Sequence, residues 1–237
     1  MKKHVILLFA LLFLTISNTK AQTIDTFFTE ANSFFSAYVS KGEVDYTAIH
    51  KNKNELTSLL SIASDIKVSP SEATNFQAFW INAYNLAVIK GIIDNYGINS
   101  PLDKNGFFDT TTYSLGGTKI TLNDIENKML RAKFDDARFH FVLVCGAKGC
   151  PPLIAEAYMP GTLDAQLQRQ TKKALNDHSF IKVSDGKVAV SEIFKWYKED
   201  FVKNGSEIDF INTFRKDTIS ENTKLTYYSY DWRLNSK

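Results

Sequence analysis

Residues 76–93 are apolar in nearly every direction around a helix axis. Phe76, Phe79, Trp80, Ala83, Tyr84, Ala87, Val88, Gly91 and Ile92 form a stripe at i, i+3, i+4 spacing. Ile81, Leu86, Ile89 and Ile93 occupy much of the remaining circumference. A helix with no polar face belongs in the interior, so the fold must be built around it. Ser69 as N-cap, Pro70 in the first turn and Glu72 closing a capping box predict its start, and Gly97 its end, giving a helix at about 70–96. Asn82 and Asn85 interrupt the apolar surface on one side, with Tyr84 adjacent. Asparagine is a poor helix former. The two amides either bond a neighbouring loop's backbone or, with Tyr84, position a substrate.

The remaining elements are predicted to wrap this helix. Phe27, Phe28, Ala31, Phe34, Phe35 and Tyr38 read as an amphipathic helix over 25–39, and a second helix is expected around 52–63. A hairpin is expected in 107–121, turning at Gly116-Gly117, followed by a short helix at 122–132 capped by Thr121. The run 138–145, apolar on both faces, reads as a covered strand. Helices at about 163–176, 191–201 and 206–215, a hairpin turning at Asp185-Gly186, and a last strand from Lys224 to Tyr230 complete the pattern. The class is α+β: one domain, with helices packed around a small, mainly antiparallel sheet and a buried central helix.

Lys2, Lys3 and His4, an apolar core from Val5 to Leu14 and the small-x-small signal Thr19-Lys20-Ala21 read as a signal peptide over 1–21. The expected mature domain, 22–237, is exported, periplasmic or secreted. Nothing after the signal is long and apolar enough for stable membrane insertion. Loss of Lys2, Lys3 and Lys20 changes the formal charge from +2 to −1, which argues against a nucleic-acid partner.

Chemistry concentrates between Arg138 and Pro151, which carries His140 and both cysteines, Cys145 and Cys150, in a Gly-rich loop. A thiol nucleophile needs a base within hydrogen-bond reach. In a straight strand, however, a spacing of five residues sets His140 and Cys145 on opposite faces and roughly 16 Å apart. The loop would have to fold back, or Cys145 and Cys150 pair with each other as a disulfide, as export favours. A zinc site of Cys145, Cys150 and His140 lacks a fourth ligand, and neither metal nor cofactor is expected. Glu126, one short turn upstream, is the expected partner for His140. His50 and His178 read as solvated, Lys148 as a loop lysine, and Trp196, Tyr197 and Phe201 as core, with Trp232 at a pocket rim.

The segments Phe79-Trp80-Ile81-Asn82-Ala83-Tyr84-Asn85, Leu122-Asn123-Asp124-Ile125-Glu126, His140-Phe141-Val142-Leu143-Val144-Cys145 and Gly149-Cys150-Pro151-Pro152-Leu153 together resemble the domain of unknown function 547 family, most strongly over about 44–155. The resemblance implies which residues form a shared centre. In plant relatives the segment matching Gly149-Cys150 looks more like two serines, while the first cysteine is retained. Two functions are therefore expected as alternatives. One is a thiol-dependent hydrolase or group-transfer enzyme: Cys145 attacks, His140 and Glu126 move protons, Asn82, Asn85 and Tyr84 position a small-molecule or peptide ligand, and N–H groups of Gly146–Gly149 form an oxyanion hole. The other is a non-catalytic binding or scaffolding domain with a structural Cys145–Cys150 disulfide.

Overall fold

The structure, a computed structural model, describes residues 24–184 and 186–237; the segment read as an export signal lies outside them. Its element order is α1 (24–38), β1 (Val39–Ser40), β2 (Glu43–Val44), α2 (Tyr46–Lys51), α3 (Asn54–Asp65), α4 (Ala73–Asp94), β3 (Thr112–Leu115) and β4 (Thr118–Thr121). Then come α5 (Leu122–Asp124), a π-helical stretch Ile125–Arg131, α6 (Ala132–Phe134) and a 3-10 turn Ala137–Phe141. The chain continues with α7 (Leu163–Leu175), β5 (Lys182–Ser184), β6 (Lys187–Ser191), α8 (Ile193–Trp196), α9 (Lys198–Phe201), α10 (Glu207–Phe214) and β7 (Lys224–Tyr228). This is the expected α+β fold.

Helix α4 is the central rod, and sixteen of its twenty-two residues are buried. Each fully buried Phe, Ile or Leu contributes about 1.5–3 kcal/mol by leaving water, so α4 contributes more to the core than any other single element. Its start differs from the expected capping box. The helix begins at Ala73, and the Ser69 and Ser71 hydroxyls bond each other at 2.7 Å, which leaves the helix end without a side-chain cap.

The strands form three small sheets: β1–β2, β3–β4 and β5–β6–β7. The β3–β4 turn holds Gly116 and Gly117 at φ 63° and 75°, the positive values that a two-residue hairpin needs. The β5–β6 pair is antiparallel, whereas β7 joins β6 in parallel and ends at Tyr228 rather than Tyr230. Beyond it, the chain runs irregularly across the molecule.

The main departure from expectation is 138–145, which is not a strand. Asp136 caps a 3-10 turn, accepting from Arg138 N at 2.9 Å, and the chain then passes α4 in an extended loop. A strand's backbone would need a neighbouring strand. Here Asn85 takes that place: its Nδ2 donates to Val142 O (3.0 Å) and its Oδ1 accepts from Val144 N (2.9 Å). Asn82 does the same one helical turn earlier, donating to Tyr158 O (2.8 Å) and accepting from Tyr158 N (2.9 Å). Both asparagines are fully buried and both lock loop backbone, the first of the two roles open to them. Apolar patterning cannot distinguish a buried strand from a buried loop whose backbone is satisfied by side chains.

Replacing Asn82 or Asn85 with Ala strands one buried carbonyl and one buried N–H at each site. At about 1–3 kcal/mol per unsatisfied group, each variant is expected to lose roughly 2–6 kcal/mol in urea unfolding. A loss under about 1 kcal/mol would show that the amides are not structural.

Candidate functional site

A cavity of about 260 Å³ opens beside α4. Its lining includes Tyr84 from α4, Glu126 from the π-helical stretch, His140 from the 3-10 turn and Cys145 from the loop that follows. Residues Tyr197, Trp196, Tyr230 and Trp232 close the far side. The π-helical stretch has a wider turn than an α-helix, a feature frequent at functional sites, and it carries both Glu126 and Arg131.

His140 is buried and bonded at Nε2 to Asp200 Oδ2 at 2.7 Å. Its Nδ1 faces Glu126 Oε1 at 3.7 Å, and its ring stacks on Tyr197 at 4.0 Å. Asp200 also accepts from Arg131 Nε at 2.6 Å, and that guanidinium lies over the Tyr197 ring. Burial works against the Asp200 charge, but the bonds from His140 and Arg131 outweigh it and lower its pKa to about 2. The bond to an ionised Asp200 places a proton on Nε2, and Nδ1 is the ring atom that faces Glu126.

The second chemical group is the pair of cysteines. The loop folds back, and Cys145 and Cys150 are free thiols with Sγ atoms 2.7 Å apart, against ~2.05 Å for a disulfide. Tyr230 Oη reaches both sulfurs, at 3.1 Å to Cys145 and 2.9 Å to Cys150. Burial opposes charge on either thiol. At Cys150 it is outweighed by donors from Cys145 Sγ, Tyr230 and the Ala147 and Cys145 backbones, which lower its pKa. Cys145 is pushed well up by burial, by its bond to Cys150 and by that neighbour's charge. Of the two thiols, Cys150 is therefore the one that gives up its proton more readily.

Three expectations change. The cavity gathers Cys145, His140, Glu126 and Tyr84, but Asn82 and Asn85 do not line it. His140 has Asp200 as its near partner, with Glu126 second. The expected oxyanion hole is largely committed: Lys148 N donates to Arg233 O and Gly149 N to Asp231 O, while the Ala147 N–H serves the sulfur pair. The aromatic residues also divide. Phe201 is core, as expected, whereas Trp196 is 45% exposed and lines the cavity with Tyr197 and Trp232. His50, expected to be solvated, stacks on Tyr96 at 3.8 Å.

Asp200 and Tyr230 were not picked out from the sequence. Asp200 lies three residues after Tyr197, one turn on, and its N–H donates to Tyr197 O at 2.9 Å. No such local signal marks Tyr230, which reaches the sulfurs from 80 and 85 residues away.

A family model described as a protein of unknown function, DUF547, matches residues 70–175. Over this stretch the chain resembles the DUF547 family. No curated protein and no solved structure matches the chain. The DUF547 stretch supplies Tyr84, Glu126, His140 and both cysteines, while Tyr197, Asp200, Tyr230 and the two tryptophans lie beyond it. Among the described residues no helix is long and apolar enough to cross a membrane, and no cluster of three His, Cys, Asp or Glu side chains is placed to hold a metal.

The Asp200 pKa lies below its ordinary 3.8 in the folded chain, so its stabilisation is complete above about pH 4 and lost as the pH falls through about 2. Urea unfolding between pH 5 and pH 2 is expected to show a loss of about 2 kcal/mol that is missing in Asp200→Asn. Equal acid sensitivity in the two proteins would remove Asp200 from this network.

Proposed function

We propose that this protein is a thiol-dependent hydrolase or acyl-transfer enzyme acting on a small molecule or peptide end. Cys145 is the attacking group, and Asp200 and His140 are the acid/base unit. The observation that carries the reading is convergence: a carboxylate-oriented imidazole, a second carboxylate and a thiol line one aromatic-walled cavity. Three titratable groups of complementary roles in one concave site are a basis for assigning chemistry. The basic, apolar N-terminal segment supports export.

In this mechanism the Cys145 sulfur bonds to an acyl carbon as its proton passes to His140 Nδ1. Both ring nitrogens already face carboxylates, and no bond joins the ring to the sulfur, so a bridging water carries that proton. The imidazolium then sits between Asp200 and Glu126, which stabilise it. The bond from the carbon to its leaving group breaks, and the leaving group takes the proton from Nδ1. Water, deprotonated by the same nitrogen, cleaves the thioester and restores the thiol. Tyr84, held as a phenol by a pKa that burial pushes well up, is the donor for the developing oxyanion.

One observation favours the second reading, a non-catalytic binding domain: the sulfurs are close enough for a small movement to join them. p-Nitrophenyl acetate offered to the fully reduced protein separates the two. The enzyme reading expects release of p-nitrophenol, an acetyl adduct on Cys145 by mass spectrometry, and no adduct in Cys145→Ala. His140→Gln is expected to slow release by roughly 100-fold or more. Release at an equal rate from wild type and Cys145→Ala would leave the binding domain as the better account.

A further inference from the structure

The two cysteines line different cavities. Cys145 lines the aromatic cavity described above, whereas Cys150 lines a second cavity of about 340 Å³ on the other side of the loop. That second cavity carries three lysines from separate parts of the chain: Lys148 from the cysteine loop, Lys173 from α7 and Lys182 from β5. Two carboxylates share it, and both are engaged. Asp231 is paired with the Arg233 guanidinium at 2.9 Å, and Asp177 accepts from the Ser179 hydroxyl and backbone at 2.7 and 2.8 Å. The Lys182 ammonium lies over the Tyr228 ring at 4.0 Å, which holds its charge at the cavity wall.

We propose that this lysine-lined cavity is the entry site for a small disulfide bearing carboxylates, which exchanges with Cys150 and thereby switches Cys145 on and off. Thiol–disulfide exchange begins with a thiolate, and Cys150 is the member of the pair whose sulfur accepts from Cys145 N at 3.0 Å and Tyr230 Oη at 2.9 Å, donors that favour that form. The Cys150 sulfur attacks one sulfur of the incoming disulfide, whose S–S bond breaks and releases one thiolate. Cys145 then loses its proton and attacks Cys150 Sγ, 2.7 Å away, expelling the second thiolate. The pair has lost two electrons and the small disulfide has gained them. It leaves as two thiols, one carrying the Cys145 proton and the other a proton from water. In the reverse direction an anionic thiol enters the same cavity and restores Cys145. The lysines act by drawing anions in and rejecting cations. The regulatory part rests on Cys145 being the attacking group; the exchange itself does not.

The test compares two probes on the full reduced chain at low salt: glutathione disulfide, which is anionic, and cystamine, which is cationic. Rates are normalised to those of each probe with a free cysteine peptide. The normalised glutathione rate is expected to exceed the cystamine rate by about tenfold or more, and salt is expected to erase the difference. Lys173→Glu with Lys182→Glu, both on the surface, is expected to invert the preference. In Cys145→Ser the mixed disulfide is expected to accumulate on Cys150. Equal normalised rates in wild type, or first capture of glutathione on Cys145, would overturn the proposal. Oxidised protein should also lose p-nitrophenyl acetate turnover. Charge-selective exchange with no acyl turnover in either state would keep the entry site and remove the enzyme reading instead.

Discussion

The structure depends on a bond that a helix does not usually make. Asn85, inside the most deeply buried helix, offers its amide to the backbone of a passing loop and so does what an adjacent strand would do. Without it, Val142 and Val144 would have unmet backbone groups in an apolar interior, and the segment would need a partner strand. With it, the chain between His140 and Cys145 is free to bend. Strand geometry would have kept imidazole and thiol on opposite faces; the bend lets both reach one cavity.

A second dependence follows from the carboxylates. Asp200 is shared by His140 and Arg131, so its charge orients one group while being neutralised by the other. Arg131 in turn covers Tyr197, which stacks on His140. The imidazole is therefore fixed by a ring on one side and an ion pair at its end, a preorganised arrangement that suits proton transfer.

Much of this was legible in the sequence, for identifiable reasons. The all-round apolar character of 76–93 located the central helix, and the Gly116-Gly117 hairpin and the Thr121 cap were read from local chemistry that needs only neighbours. Glu126, His140 and Cys145 were singled out by residue type and position. What failed was of another kind. The 138–145 run was misread because period alone does not reveal who satisfies its backbone. The role of Asp200 depends on a contact 60 residues away in the chain, and that of Tyr230 on one 85 residues away.

The cysteine loop is held by the far end of the chain. Residues 231, 233 and 235 bond the backbone of Gly149, Lys148 and Gly146, and the chain continues to pair with Val44. Leu234 bridges to Ala147 as well. The loop is thus organised by residues that emerge from a ribosome more than eighty positions after the cysteines themselves. Until then neither thiol has its Tyr230 neighbour or its fixed surroundings. Order of synthesis alone keeps both thiols without these partners until residues 230–235 have been made.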